Sequence, residues 1–158
     1  MSNLPYREED HKLLCAALEF ATRGWYVFRL KPFSKEPLAC SHGLLDATID
    51  PERIRRWWDE VPSANIGINC GMSHIVVVDV DPRNGGRISD LPNTWDNPMR
   101  FASTPSGGWH LYYPWPLELD VPRKRLYSPG IDLQGAGGYV VAPPSELLHG
   151  DYKWTPWI

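Results

Sequence analysis

The chain has 158 residues with a formal net charge of −3, and it contains 16 prolines and 13 glycines. This length predicts one domain, and 42% hydrophobic with 22% charged residues is typical of a globular protein. These values exclude a low-complexity tail, a collagen-like fibre and a disulfide scaffold. They also exclude a strongly basic nucleic-acid coat, so any contact with nucleic acid has to be local or carried by a bound metal.

The cysteines indicate a reducing compartment. Cys15, Cys40 and Cys70 are odd in number and widely spaced, which favours the cytoplasm over a secreted disulfide framework. Cys40 and His42 are close enough to suggest a metal site, but no second close pair exists, so structural zinc is not expected. No apolar run approaches the ~18 residues of a membrane span. We therefore expect a cytoplasmic protein without a membrane partner.

The N-terminal part of the chain predicts two helices with a strand between them. The second helix has the clearer signal, because Asp50 suits the N-cap, Pro51 suits the first helical position and Pro62 ends it. Gly24 suits the left-handed residue after the first helix, and a strand at 25–30 follows. The first helix is predicted from apolar residues at spacings of three or four, namely Leu14, Leu18, Ala21 and Trp25, with Leu13, Ala17 and Phe20 beside them.

The remainder predicts mostly strands. Strands at 64–70 and 74–80 are joined by a short turn and are expected to pair as an antiparallel hairpin. Residues 33–48 and 83–98 lack periodicity and are predicted to be loops. The predicted order of elements, with helices and strands first and mostly strands after them, favours an α+β fold. The further predicted strands are 101–104, 109–113, 130–134 and 139–142.

Carboxylates stand out in this pattern. Asp79 and Asp81 end the apolar run 75–78 and, being two apart in a strand, share a face. Ionised carboxylates side by side repel unless a cation lies between them, and such oxygen pairs suit Mg²⁺ or Mn²⁺. A solvated strand end before a turn explains the same pattern. Asp132 either supplies a third carboxylate to that cation or is a turn acceptor or salt-bridge partner.

A histidine beside a glycine turn is the second feature. His110 follows Ser106-Gly107-Gly108 on an aromatic strand, and backbone N–H groups of such a turn can surround an anion. His110 is then either a phosphate ligand or a partly buried structural histidine. Lys35, His42 and the run Arg123-Lys124-Arg125 are either solvated charges or line a phosphate path. Together with the carboxylates, these residues predict a divalent-metal site that handles triphosphates.

An ordered series of short motifs extends over nearly the whole chain, from about Leu13 to Trp154. The series resembles the bifunctional primase-polymerase (prim-pol) domain of the archaeo-eukaryotic primase superfamily. The resemblance implies an RRM-like antiparallel catalytic sheet with a small N-terminal αβ module. It also implies template-directed nucleotide polymerisation in phage or plasmid replication. The motifs are Gly24-Trp25-Tyr26-Val27-Phe28, Lys35-Glu36-Pro37, His42-Gly43, Asp46-Ala47-Thr48, Trp57-Trp58, Ala64-Asn65-Ile66-Gly67-Ile68, Val78-Asp79-Val80-Asp81, Thr104-Pro105-Ser106-Gly107-Gly108-Trp109-His110, Gly130-Ile131-Asp132-Leu133 and Gly137-Gly138-Tyr139-Val140-Val141-Ala142-Pro143-Pro144-Ser145.

The resemblance also implies roles for individual residues. Asp79, Asp81 and Asp132 correspond to the family's acidic metal ligands for Mg²⁺ or Mn²⁺, and His110 corresponds to its phosphate-binding histidine. The superfamily often has serine two residues before that histidine, where this chain has Gly108. A phosphate contact there would need backbone N–H groups or Ser106. Further nucleotide-binding candidates are Ser106, Gly107, Gly108 and Lys35.

The implied partners are nucleoside triphosphates, a single-stranded DNA template and primer, and a helicase domain or protein. Residues 1–158 are then expected to be one catalytic domain of a longer replication protein in the host cytoplasm. Two other classes remain open: a catalytically inactive nucleotide- or nucleic-acid-binding module of the same fold, and a sugar-handling protein. The shared face of Asp79 and Asp81 counts against a glycosidase, whose acid and base must flank the substrate.

Overall fold

The computed structural model describes residues 11–115 and 124–156, with side chains at all of these positions except 124–127. Two helices and several antiparallel sheets confirm the predicted α+β class. The elements are α1 (Lys12–Thr22), β1 (Val27–Leu30), α2 (Pro51–Glu60), β2 (Asn65–Asn69), β3 (Ile75–Val80), β4 (Arg100–Ser103), β5 (Trp109–Pro114), β6 (Lys124–Ser128), β7 (Ile131–Gln134), β8 (Tyr139–Val141), β9 (Glu146–Leu147), β10 (Gly150–Asp151) and β11 (Lys153–Trp154).

The strands form a large sheet, a small sheet and a short two-stranded ribbon. The large sheet has six strands in the order β11-β4-β5-β3-β7-β6, and every pairing in it is antiparallel. The small sheet has three strands in the order β1-β2-β8. The apolar strand β3 therefore lies inside the large sheet, where both of its edges are hydrogen-bonded.

The predicted hairpin between residues 64–70 and 74–80 is wrong, because β2 belongs to the small sheet and β3 to the large one. The connection leads the chain out of one sheet and into the other. The Cys70 N–H donates to the Gly138 carbonyl at 3.0 Å, and the Ser73 N–H donates to the Asn69 carbonyl at 3.1 Å. His74 then takes a φ of 50°, in the left-handed region. These bonds form a wide turn, so β3 does not run back along β2.

Both predicted helices form, with one correction to α1. The Asp50 side chain caps α2 by accepting the Glu52 N–H at 3.0 Å, and Gly24 has the expected left-handed φ of 80°. The face of α1 that is fully buried is Leu13, Ala17 and Phe20, whereas the predicted stripe of Leu14, Leu18 and Ala21 is only half-buried. Trp25, stacked on Phe20 with ring centroids 5.7 Å apart, is part of the core that this face contacts.

The two predicted loops contain only short 3₁₀ helices, at Gly43–Asp46 in the first loop and at Pro82–Asn84, Ile88–Asp90 and Asn93–Trp95 in the second. In the basic run, Arg123 lies outside the described residues, and Lys124 and Arg125 belong to β6. The three cysteines are free, as the sequence predicts. Within the part of the chain that the structure describes, neither helix has the length and hydropathy needed to cross a membrane.

The two faces of the large sheet have different covers. Val76, Val78 and Val80 point to one face and pack in a core that the 88–95 segment covers through Ile88, Leu91 and Trp95. Ile75 and Val77 point to the other face and pack in the core that includes α1, α2 and the small sheet. Asp79 continues this second face beyond the apolar part. One face of β3 is therefore apolar at its start and acidic at its end.

A close backbone contact fixes the turn that follows β3. The Asp81 N–H donates to the Gly130 carbonyl at 2.7 Å, and the Gly86 N–H donates to the Asp81 carbonyl at 3.0 Å. A Cβ placed on Gly86 would lie 2.1 Å from the Gly130 carbonyl oxygen, so only glycine fits. Because Gly130 directly precedes β7, the same contact sets the position of Asp81 and the start of the strand that carries Asp132.

The first prediction concerns this contact. Gly86→Ala should lower the free energy of unfolding by roughly 2 kcal/mol or more, because its Cβ forces two backbone segments apart. Gly85→Ala is the matched control: its φ of 90° is strained for alanine, but no other atom lies within 4 Å of the new Cβ. Gly85→Ala should lower the free energy of unfolding by only about 1 kcal/mol. Urea unfolding of both variants measures the difference, and equal losses would show that the contact does not constrain the turn.

Candidate active site

The register of β3 brings three of the predicted site residues together. Asp79 is paired with His110 on β5 and with Asp132 on β7. Directly paired residues of antiparallel strands have Cβ atoms about 4.5–5.5 Å apart on the same face. Asp79 therefore lies between an imidazole and a second carboxylate, on the face of the large sheet that the small sheet borders.

A cavity of about 420 Å³ opens beside this row of side chains. Asp79, His110 and Gln134 of the large sheet form one wall, and Tyr139 to Val141 of the small sheet form another. Lys35 and Tyr152 complete the lining from a loop and from the C-terminal segment. The volume lies within the range of roughly 300–1,000 Å³ that small-molecule sites have. Charged, amide and aromatic side chains thus meet in one cleft between the two sheets.

His110 is the buried member of the site. Its Nε2 lies 3.6 Å from Asp79 Oδ1, which is too long for a hydrogen bond, and its buried Nδ1 has no hydrogen-bond partner. Burial lowers the pKa of His110, and the Asp79 carboxylate offsets this only in part. The ring is therefore neutral near pH 7. A buried nitrogen without a full hydrogen bond is uncommon in folded proteins, and a catalytic or ligand-binding role is one physical explanation for it.

Asp81 is held by its own turn. Its carboxylate accepts hydrogen bonds from Arg83 Nε at 3.1 Å, Arg83 Nη2 at 3.0 Å and Asn84 Nδ2 at 3.0 Å, and from the Arg83 backbone N–H at 2.9 Å. Mainly because of the Arg83 side chain, the pKa of Asp81 is lower than that of an isolated aspartate. Asp81 is thus ionised and already paired, and it does not line the cavity.

The three predicted metal ligands are not gathered into one cluster. Within residues 11–115 and 124–156, no group of three or more His, Cys, Asp or Glu side chains is placed to hold a metal ion. Asp79 and Asp132 are paired across β3 and β7, while Asp81 faces Arg83. Asp79 and Asp132 thus present carboxylate oxygens on neighbouring strands, and such oxygens are the donors that a hard divalent cation prefers.

The glycine turn before His110, formed by Ser106, Gly107 and Gly108, does not line the cavity. The Gly107 N–H donates to the Thr104 carbonyl at 3.0 Å, and the Gly108 N–H donates to Thr104 Oγ1 at 3.1 Å. A Cβ on Gly108 would lie 2.4 Å from the Val80 carbonyl oxygen, so this backbone has no room for a serine there. The N–H groups of Gly107 and Gly108 serve the turn itself.

Lys35, in contrast, does line the cavity. The Tyr139 hydroxyl donates to its backbone carbonyl at 3.0 Å, which ties the Lys35 loop to β8. The Lys35 charge contributes to the low pKa of Asp81 and also disfavours a charged His110. Lys35 is thus a cation within electrostatic reach of both the carboxylates and the imidazole.

Sequence reasoning missed several residues of the site. Gln134 could have been found, because it lies two residues after Asp132 on the same strand face. Tyr152 has no local signal: its ring lies 5.6 Å from His110, but 42 residues separate the two in the chain. Arg83 follows the second carboxylate by two residues, a spacing at which an arginine side chain can fold back.

A second prediction follows from the burial of His110. Its folded-state pKa is lowered from the unfolded value of about 6.5, so the unfolded chain binds the proton more readily. The stability that neutral His110 provides is therefore complete above that value and is lost as the pH falls through the folded pKa. The melting temperature should fall on acidification from about pH 7.5 to about pH 5, and this fall should be smaller in His110→Gln.

The control for this experiment is His149→Gln, which changes an exposed histidine and should keep the wild-type slope. An equal slope in His110→Gln and wild type would mean that His110 does not contribute to the acid sensitivity.

Comparison with known proteins identifies the family. The sequence profile described as "Bifunctional DNA primase/polymerase, N-terminal" (Prim-Pol) matches residues 17–157, which is nearly the whole chain. A search for similar curated proteins finds no match. The profile spans the second half of α1, all of α2, both sheets and the cavity between them, in agreement with the resemblance seen in the motifs. The chain therefore belongs to the family of bifunctional DNA primase/polymerase N-terminal domains.

Proposed function

We propose that this chain carries out template-directed nucleotidyl transfer from nucleoside triphosphates to a 3′-hydroxyl, as the catalytic domain of a DNA primase/polymerase. The observation that carries the proposal is the row of His110, Asp79 and Asp132 across three paired strands, of which His110 and Asp79 line a cavity of about 420 Å³. Nucleotidyl transfer requires positioning and charge stabilisation more than covalent chemistry, and this row with Lys35 supplies both.

The proposed metal ligands are Asp79, Asp132 and Asp81, for Mg²⁺ or Mn²⁺. The Asp79 side chain is 37% exposed, so its carboxylate is accessible from the cavity. Asp132, its partner on β7, presents its carboxylate on the same face. When bound, a divalent cation would lower the pKa of the attacking hydroxyl and neutralise charge on the triphosphate. The carboxylates of Asp79 and Asp132 would fix the position of the cation on β3 and β7, and this position would orient the hydroxyl and the triphosphate.

The proposed phosphate ligands are His110 and Lys35. The neutral His110 ring can donate one hydrogen bond to a phosphate oxygen without the cost of burying a second cation. Lys35, exposed on its loop, supplies a mobile positive charge at the cavity. The turn at 106–108 lies outside the cavity, so the phosphate proposal rests on these two side chains.

The proposed partners follow from the same chemistry. A template-directed enzyme needs single-stranded DNA and a primer end beside the carboxylates. A net charge of −3 gives this chain little electrostatic attraction for DNA, so we propose that flanking parts of a longer protein, or a helicase partner, hold the template. The proposed setting is phage or plasmid replication in the host cytoplasm.

The second candidate is a catalytically inactive binding module of the same fold. One observation favours it: the Asp81 carboxylate is bonded to Arg83 and Asn84, so the metal ligands do not form a ready-made cluster. Both candidates predict triphosphate binding, and only the first predicts incorporation of a labelled nucleotide into a primer.

The third prediction tests the metal proposal. Asp79→Asn should abolish primer extension and weaken Mn²⁺ binding while leaving the circular dichroism spectrum unchanged, because a neutral amide holds a divalent cation far less well than a carboxylate. Asp59→Asn is the control, since Asp59 is exposed on α2 away from the cavity. Synthesis by Asp79→Asn at the wild-type rate would contradict the assignment.

The fourth prediction concerns the phosphates. His110→Ala should weaken nucleoside triphosphate binding by on the order of ten- to a hundredfold, the effect of losing one hydrogen bond to a charged group. Its affinity for single-stranded DNA should change much less. Titration calorimetry with each ligand measures both, with His149→Ala as the exposed control. Unchanged triphosphate affinity would make His110 a structural residue of the sheet.

A further inference from the structure

The pairing of Arg83 with Asp81 links the two halves of the proposed site. The guanidinium contacts both carboxylate oxygens of Asp81, through Nε to Oδ1 at 3.1 Å and through Nη2 to Oδ2 at 3.0 Å. This two-pronged contact occupies the oxygens that the proposed metal site requires. Each oxygen of Asp81 already accepts two hydrogen bonds, from the Arg83 N–H and Nε on Oδ1 and from Arg83 Nη2 and Asn84 Nδ2 on Oδ2. A carboxylate has about four acceptor sites, so a divalent cation has to displace one of these donors and competes with Arg83 for Asp81.

The contact can open without unfolding the turn. The Asp81 backbone is fixed by its bonds to Gly130 and Gly86, whereas the Arg83 side chain is 59% exposed. Solvent screens an ion pair whose cation is this exposed, so its opening costs far less free energy than the opening of a buried pair. The mobile partner in this pair is therefore the arginine side chain, and the carboxylate stays where β3 and its turn place it.

Arg83 does not line the cavity, but it holds Asp81, which lies two residues along the chain from the cavity residue Asp79. The Arg83 charge interacts with Asp79 and Tyr152, both of which line the cavity. An arginine that leaves Asp81 thus remains within electrostatic reach of the space where the triphosphate is proposed to bind. The planar guanidinium fork matches two oxygens of a phosphate as well as it matches two oxygens of a carboxylate.

We propose that Arg83 alternates between two ligands: it holds Asp81 while no metal is bound, and it binds the triphosphate once a divalent cation takes its place. This inference rests on the proposed function, because it needs both a metal and a triphosphate at the site. Arg83 therefore lowers the affinity for metal when no nucleotide is bound. It raises the affinity for the triphosphate when metal is bound.

A purely structural role for Arg83 predicts a different result. If the arginine side chain only holds the Asp81 carboxylate in place above the turn at Pro82–Asn84, then removing it should leave that carboxylate less well ordered and weaken the binding of any metal. The competition proposed here predicts tighter metal binding from the same substitution. The sign of the change therefore separates the two roles.

The experiment measures Mn²⁺ affinity of the full chain by electron paramagnetic resonance, without nucleotide, for wild type and Arg83→Ala. The variant should bind Mn²⁺ about two- to tenfold more tightly, the range expected for losing a weak competing ion pair. Arg83→Lys, which keeps the charge and loses the fork, should lie between them. Arg87→Ala is the control, because Arg87 is exposed nearby and should leave the affinity unchanged.

The second arm measures binding of a non-hydrolysable nucleoside triphosphate at saturating Mn²⁺. Arg83→Ala should bind it on the order of tenfold more weakly, and its affinity for a nucleoside monophosphate should be unchanged. Unchanged or weaker Mn²⁺ binding by Arg83→Ala, or unchanged triphosphate binding, overturns the inference.

Asp79→Asn distinguishes this failure from failure of the proposed function. If wild type binds no Mn²⁺, or if binding does not depend on Asp79, both the metal proposal and the inference are wrong. If binding depends on Asp79 but Arg83→Ala changes nothing, only the inference is wrong.

Discussion

The pairing register of β3 is the constraint on which the site depends. Side chains alternate between the faces of a strand, so a shift by one residue would move Asp79 into the core that Val78 occupies. Such a slip would bury a carboxylate among apolar side chains and place a valine at the cavity in its stead. The apolar packing of one face therefore fixes the position of the acid on the other, and with it the pairing of Asp79 with His110 and Asp132.

The site lies where one face of the large sheet stops packing against the helices and the small sheet and begins to line the cavity. Ile75 and Val77 are buried in the core that includes the helices and the small sheet, and Asp79 lies farther along the same strand, where that packing gives way to the cavity. The Gly86–Gly130 contact then holds Asp81 at the end of β3. Positioning of the carboxylates thus comes from regular strands and one tight turn rather than from long loops.

Short sequence patterns predicted those features that depend only on residues close together in the chain. The cap of α2 and the placement of Asp132 on the strand face opposite Ile131 and Leu133 followed from spacing or strand alternation alone. The pairing of β2 with β3 was predicted wrongly, because a short turn does not reveal that its two strands join different sheets. Tyr152 could not be predicted, since only tertiary packing brings it to His110. The metal itself remains a prediction.

Charge balance makes the two proposed ligands interdependent. A triphosphate alone would be repelled by Asp79 and Asp132, and in the proposed exchange a divalent cation alone would have to displace Arg83 from Asp81. In the proposed complex, the cation would neutralise the carboxylates while the released Arg83 guanidinium and Lys35 would contact the phosphates. Thermodynamic linkage then requires each ligand to raise the affinity for the other by the same factor. A site with this balance would hold metal weakly until a nucleotide arrives, so that its carboxylates are committed to a cation only when there is a substrate to act on.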